Sequence, residues 1–283
     1  MHIGLAIFPA DTTMQPLDLG RAAEDLGFES VWFPEHSHIP SSRRTPVRGG
    51  RDAPPLPEYY SRTLEQFTAL AAIAGVTTDL RLGSAVTLLS QRDPIWTAKQ
   101  IATLDLISGG RVELGLGYGW IVEEMAHHGT AYGERRAKLR EYALTMQALW
   151  TEEEASFVGD HVTLEPSWMW PKPVQQPHPR IVMGAGLGPK TIADIVEFCD
   201  GWMPSGTRHD IPAGVVRLRE AFERAGRDPA SLDVTVYGCP PDEAALAAHA
   251  ELGVTRVLFS LPVEAPSAVL ETMRGLARFV GRF

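Results

Sequence analysis

Glu35-His36-Ser37-His38 sets a carboxylate and two imidazoles at the end of a short β-prone run, Ser30-Val-Trp-Phe33. An imidazole titrates near neutral pH, so it can give or take a proton or hold a transient negative charge. Strand alternation would point His36 and His38 to the same side. His36 lies nearer the strand and is the candidate for chemistry, with Glu35 beside it. His38 reads as a partner for a loop carbonyl.

Two glycine-rich stretches offer backbone where side chains would intrude. Gly115-Leu-Gly117-Tyr118-Gly119-Trp120 closes an apolar strand with alternating glycines, one wall of a flat pocket. Gly184-Ala-Gly186-Leu-Gly188-Pro189-Lys190-Thr191 sets three glycines ahead of a helix whose first position is Pro189. Free N–H groups there, with Lys190 and Thr191 adjacent, suit a phosphate. The glycine spacing does not match the dinucleotide fingerprint.

Such residues need strand ends to hold them, and the chain supplies these in a regular rhythm. Apolar runs at 2–8, 30–33, 80–89, 111–116, 180–183, 201–203, 232–237 and 255–260 read as strands. Helical spacing covers 17–26, 63–75, 94–107, 135–150, 189–198, 211–225, 242–252 and 267–279. This alternation predicts a single-domain α/β fold over 1–283, a (β/α)8 TIM barrel, with its site at the carboxyl ends of the strands. Two segments break the rhythm. Residues 39–60 form a long loop carrying Arg43, Arg44, Arg48 and Arg51. Residues 151–179 form a lid-like insertion between the fourth helix and fifth strand, with a small hairpin and then Trp168 and Trp170.

The 283 residues are 44% hydrophobic with a formal charge of -9, a balance that suits a small-molecule partner and disfavours nucleic acid or an anionic membrane. Two cysteines, Cys199 and Cys239, are too few for a disulfide framework or a thiolate metal site, which fits a reducing cytoplasm. No run approaches the roughly 18 apolar residues of a membrane span. His-x-His spacing also permits a metal-dependent barrel hydrolase. The later strand ends show Gly, Tyr, Trp, Ala, Leu, Pro and Ser instead of further ligands, so no metal is expected.

Taken in order, Ile3-Gly4-Leu5-Ala6, the run from Ala22 to Trp32, Glu35-His36, Leu82-Gly83, Arg92-Asp93-Pro94, Ile107-Ser108-Gly109-Gly110-Arg111 and Gly115-Leu116-Gly117 resemble the luciferase-like family of flavin and deazaflavin oxidoreductases. The resemblance covers nearly the whole chain, with Asp200-Gly201-Trp202 as a weaker element. It implies a tricyclic ring across the strand ends, held along Ser84, Ala85 and Val86, along Gly115, Gly117, Tyr118 and Gly119, and along Gly184, Gly186, Gly188, Lys190 and Thr191. It further implies a bulge with a non-proline cis peptide at or near Ala85-Val86, and a homodimer. Glu35-His36 looks like the acid-histidine step of the coenzyme F420 enzymes, which pass a hydride. FMN, with monooxygenation, is the alternative, and a non-catalytic cofactor-binding protein is a third. Trp120 stands where the family's sugar-phosphate dehydrogenases carry a glutamate proton donor. With Trp168 and Trp170 it suggests an apolar or aromatic substrate.

Overall fold

The computed structural model describes residues 1–46 and 55–283; Arg48 and Arg51 lie outside the described residues. In chain order the elements are β1 (His2–Ala6), α1 (Pro16–Asp25), β2 (Ser30–Phe33), α2 (Gln66–Ala74), β3 (Arg81–Thr87), α3 (Pro94–Ser108), β4 (Val112–Leu116), α4 (Val122–His127) and α5 (Arg135–Thr151). There follow the hairpin β5 (Ala155–Val158) and β6 (Thr163–Ser167), then β7 (Arg180–Met183), α6 (Pro189–Phe198), β8 (Gly201–Trp202), α7 (Ile211–Arg224), β9 (Asp233–Tyr237), α8 (Glu243–Leu252), β10 (Arg256–Ser260) and α9 (Pro266–Leu276). Eight parallel strands close in the order β1-β10-β9-β8-β7-β4-β3-β2, the expected (β/α)8 barrel.

Local chemistry starts and stops the helices where the sequence signals them. Asp93, Asp210 and Asp242 each accept an amide hydrogen bond as the N-cap of α3, α7 and α8. Gly109 and Gly253 end α3 and α8 in the left-handed region. The sixth barrel strand, β8, pairs through only Gly201 and Trp202. The short helix α4 was not expected. Its six residues lack a side-chain N-cap and show no helical stripe long enough to read.

The barrel interior is layered. At the amino ends of the strands, Arg256 pairs with Glu29 at 2.6 and 2.7 Å and reaches Glu113 at 3.3 Å, while Arg81 holds Glu113 at 2.5 Å. Above them Trp32 lies over Gly83, where a Cβ would come within 2.0 Å of the indole. Ala6, Ala85, Val182, Met203 and Leu258 pack with Trp32 toward the carboxyl ends.

The insertion is a strap on the barrel's flank rather than a lid. Glu141 of α5 accepts the Asp160 and His161 amides of the hairpin turn at 3.1 and 2.7 Å. The chain then descends along α3, where Lys99 donates to the Trp170 carbonyl. Gln175 donates to Asp105 and to the Val112 carbonyl at 2.7 and 2.8 Å, near the amino end of β4. Trp168 and Trp170 are 72% and 63% exposed, so the strap's route carries both rings away from the strand ends where a substrate was expected.

Candidate active site

The carboxyl ends of the strands surround a cavity of about 940 Å³. One side is built where β3 bulges toward β4: the register shifts between Ser84 and Thr87, and the Ala85-Val86 peptide is cis, as the resemblance implied. Glycine makes room for the bulge. A Cβ on Gly117 would meet Val86 at 2.3 Å, one on Gly184 would meet Val86 at 2.5 Å, and one on Gly115 would meet the Ser84 carbonyl at 2.2 Å. The alternating glycines therefore accommodate Val86 and its strand as well as facing the cavity.

Ala85, Val86, Gly117, Tyr118, Gly119 and Trp120 line this space, as do Gly184, Gly186 and Thr191. Ser84 and Gly115 do not. The Ser84 hydroxyl bonds both the Gly115 carbonyl and amide at 3.0 Å, fixing β3 to β4 beneath the surface. Gly188 caps α6 and Lys190 is exposed, both outside the cavity wall, because Pro189 turns the helix so that Thr191 faces inward instead.

His36 is buried on the opposite wall. Its Nδ1 lies 2.9 Å from Glu124 Oε2, and the other carboxylate oxygen accepts the Ser37 amide at 3.1 Å. Glu124 is 1% exposed, and because an ionised carboxylate can only accept, this contact assigns the proton of neutral His36 to Nδ1 and leaves Nε2 as the acceptor. The Tyr60 and Trp120 rings flank the imidazole at centroid distances of 5.2 and 6.2 Å. Thr63 donates to the His36 carbonyl at 2.9 Å.

Glu35, expected beside His36 as a catalytic group, lines the cavity and is held by two neighbours. Its carboxylate accepts from the Leu88 amide and from Arg92 Nε, both at 2.6 Å. Arg92 in turn pairs with Glu65. Burial disfavours the Arg92 charge, but Glu35 and Glu65 outweigh it and hold the guanidinium above its ordinary pKa. Glu35 thus ties the β2 end to the β3 loop.

The cavity's cationic end was only partly visible in the sequence. Arg136 lies 4.1 Å over the Tyr118 ring, bonds Asp194 at 2.8 Å and reaches the Thr191 hydroxyl at 3.4 Å. Tyr118 donates to Asp194 at 2.5 Å; burial, then that bond, raises its pKa. Arg135 stacks 3.6 Å over Tyr132, with its Nε buried and unpartnered among the described residues. Arg135 and Arg136 open α5, Thr191 opens α6, and both helix starts add partial positive charge. Neither arginine was singled out in the sequence, where residue 135 only begins a helix. Of the loop arginines, Arg43 lies 5.9 Å over Trp120, and the Arg44 and Thr45 amides bond Glu123 of α4 at 2.6 and 3.0 Å.

With this geometry in hand, comparison with known proteins is informative. Residues 9–259 match the family model described as luciferase-like monooxygenase. The chain belongs to the luciferase-like family. An uncharacterized protein of Mycobacterium tuberculosis is 43% identical over 263 residues, covering 93% of this chain and 92% of that protein. A 5,10-methylenetetrahydromethanopterin reductase of Methanolobus tindarius is 27% identical over 240 residues, covering 84% of this chain and 65% of that one. A pyrimidine monooxygenase of Cronobacter sakazakii is 30% identical over 200 residues, covering 67% and 58%. Among solved structures, the monooxygenase RslO1 of Streptomyces bottropensis superposes with a TM-score of 0.80 at 21% identity, over 98% of each chain. The coenzyme F420-dependent tetrahydromethanopterin reductase of Methanopyrus kandleri gives 0.75 at 19% identity, over 99% and 98%.

Luciferase-like enzymes are oxidoreductases, and this cavity fits their kind of cofactor in size and donor set. A volume of about 940 Å³ accommodates a tricyclic ring with its side chain. The guanidinium groups of Arg135 and Arg136 and the starts of α5 and α6 suit the anionic end. Among the described residues no three His, Cys, Asp or Glu side chains converge as metal ligands.

Proposed function

We propose that this chain is a coenzyme F420-dependent oxidoreductase acting on a small apolar or aromatic molecule. The observation that carries the reading is His36, buried on the cavity wall with Nδ1 held by Glu124 and Nε2 left for a ligand. The deazaflavin supplies hydride transfer when bound. Ala85, Val86, Gly117 and Gly184 would support its ring, and Arg135, Arg136 and Thr191 its phosphate. Phe8, Tyr60 and Trp120 wall off the substrate side and exclude water from it. His36 Nε2 holds or donates the substrate proton, while Glu124 keeps the ring oriented and balances an imidazolium.

Similarity to a methylenetetrahydromethanopterin reductase, together with the fold shared with the coenzyme F420-dependent tetrahydromethanopterin reductase, supports F420, and the cations along the cavity suit its anionic tail. The second reading, an FMN-dependent monooxygenase, is favoured by the pyrimidine monooxygenase similarity. Fluorescence titration with both cofactors decides: micromolar F420 binding is expected, and tight FMN binding without F420 binding would overturn the assignment. The reading includes a cytoplasmic homodimer. The exposed indoles of Trp96 on α3 and of Trp168 and Trp170 on the strap offer apolar surface for it, and sedimentation equilibrium reports the mass.

A further inference from the structure

Across the cavity from His36 stands a second group able to bond a ligand. Tyr237 ends β9, whose inward side chains climb the barrel in layers: Arg256 donates to the Thr235 hydroxyl at 3.2 Å, Thr235 donates to Asp233 at 3.0 Å, and Tyr237 comes next above them. Its ring packs against the layer of Trp32, Ala85, Met203 and Leu258 and joins the cavity lining. The backbone holds it there. The Tyr237 amide donates to the Pro204 carbonyl at 2.8 Å, and its carbonyl accepts from the Gly206 amide at 2.8 Å. In the closed barrel, β9 and β2 are separated by β10 and β1, so Tyr237 and His36 enter the cavity from different sides.

The Tyr237 hydroxyl makes no hydrogen bond to any described residue, and it does not belong to the atoms sealed from solvent without a partner. It is therefore open to the cavity that its ring lines. Burial, and then the nearby Tyr60 and Tyr59 phenols, push its pKa up to about 12. At neutral pH it is a hydrogen-bond donor and not a base. Tyr60, whose ring lies 5.2 Å from that of His36, neighbours both groups.

The two groups have complementary capacities. His36 Nε2 accepts, because Glu124 holds the ring proton on Nδ1, whereas Tyr237 donates. The one-atom group that answers both is a hydroxyl, which gives its proton to the first and a lone pair to the second. An ether or carboxylate offers lone pairs alone, an ammonium offers protons alone, and a hydrocarbon offers neither. Each of these leaves one polar atom of the pocket unpaired, which costs binding.

We propose that Tyr237 and His36 hold one substrate oxygen between them, which makes the substrate an alcohol with an apolar remainder, or the carbonyl compound that it becomes. This rests on the role given to His36 and on the hydride chemistry of the cofactor proposed above. In the oxidation, the C–H bond of the carbinol carbon breaks and both electrons leave as hydride to the oxidised deazaflavin. The O–H proton passes to His36 Nε2, and the C=O bond forms. Tyr237 keeps its proton and stabilises the negative charge that gathers on the oxygen during the transfer. The carbonyl product is held from both sides too, because the imidazolium is now a donor. Reduction of a carbonyl runs through the same atoms in reverse.

Binding tests this without turnover. The full chain is loaded with whichever of F420 and FMN it binds, or left unloaded if it binds neither, so failure of the cofactor assignment and failure of this proposal are separate results. Dissociation constants for benzyl alcohol, toluene and benzylamine are read by ligand-observed NMR in the wild type and in Tyr237→Phe, a change that removes no hydrogen bond of the fold. The variant should weaken benzyl alcohol about 3–10-fold, the worth of one neutral hydrogen bond, and leave toluene and benzylamine unchanged. A second measurement needs no variant. The carbonyl 13C resonance of bound benzaldehyde should lie downfield of its position in an apolar solvent, because neutral His36 cannot donate to it and Tyr237 can. Equal losses for benzyl alcohol and toluene, no loss for benzyl alcohol, a larger loss for benzylamine, or a bound carbonyl resonance at its apolar-solvent position would overturn the proposal.

Discussion

The two ends of the barrel use the same residue types to opposite effect. At the amino ends, Arg256, Arg81, Glu29 and Glu113 interlock at 2.5 to 3.3 Å, and Arg111 places its guanidinium on the carbonyls of Ala74, Thr77, Leu80 and Ser108. At the carboxyl ends, Arg135, Arg136 and His36 line a cavity. Charge packed against opposite charge is committed to the fold, even though Glu113 Oε2 has no hydrogen-bond partner among the described residues, whereas charge held beside open space is available to a ligand. Single strands serve both ends: β4 carries Glu113 at one and Gly117 just beyond the other.

The sharpest way to break this contrast is to remove a charge from the closed end. Arg256→Met strips Glu29 and Glu113 of their shared partner and should cost ~3–5 kcal/mol in urea unfolding, with F420 affinity unchanged in the folded fraction. At the open end, His36→Ala should lower turnover about 10²–10⁴-fold with a much smaller effect on cofactor affinity. Equal losses in both would make His36 a binding group only. Arg136→Ala should weaken cofactor binding by about 1.5–3 kcal/mol in the fluorescence titration, the range for a hydrogen bond to a charged group.

A pH titration sharpens the comparison at the cavity rim. Burial opposes the Glu123 charge, but the Thr45 hydroxyl and the Arg44 and Thr45 amides outweigh it and pull the carboxyl down to about 2. A depressed folded pKa stabilises above the ordinary carboxylate range and is lost as pH falls toward that value. The Arg44 and Thr45 amide resonances should therefore shift only below the usual carboxylate titration, and Glu123→Gln should abolish the shift. The smallest effect belongs to the flank: Trp170→Ala should change cofactor affinity by less than about 0.5 kcal/mol, since the ring lies outside the cavity wall.

The barrel was legible because most of its strands and helices carry their own periodicity, although α4 does not and β8 is only two residues long. The site was legible only where chemistry and strand end coincide in sequence, as at His36, Gly117 and Thr191. Glu124 was not, because it meets His36 across 88 residues from a helix of one and a half turns. The partners of Glu35 were not legible either, because only the fold brings Leu88 and Arg92 to its carboxylate. Trp168 and Trp170 suggested a lid because aromatic residues in an insertion look the same in sequence whether the segment crosses the barrel mouth or descends its side.

Val86, seated between Gly117 and Gly184, has a consequence for anyone wishing to redesign this pocket. The three positions cannot be varied independently. A side chain introduced at 117 or 184 collides with the valine unless 86 is trimmed at the same time, so a library that randomises one site will sample mainly misfolded proteins. Treated as a single combinatorial unit, the triplet becomes a dial for the depth of the pocket, and natural relatives that changed one member should show compensation at another.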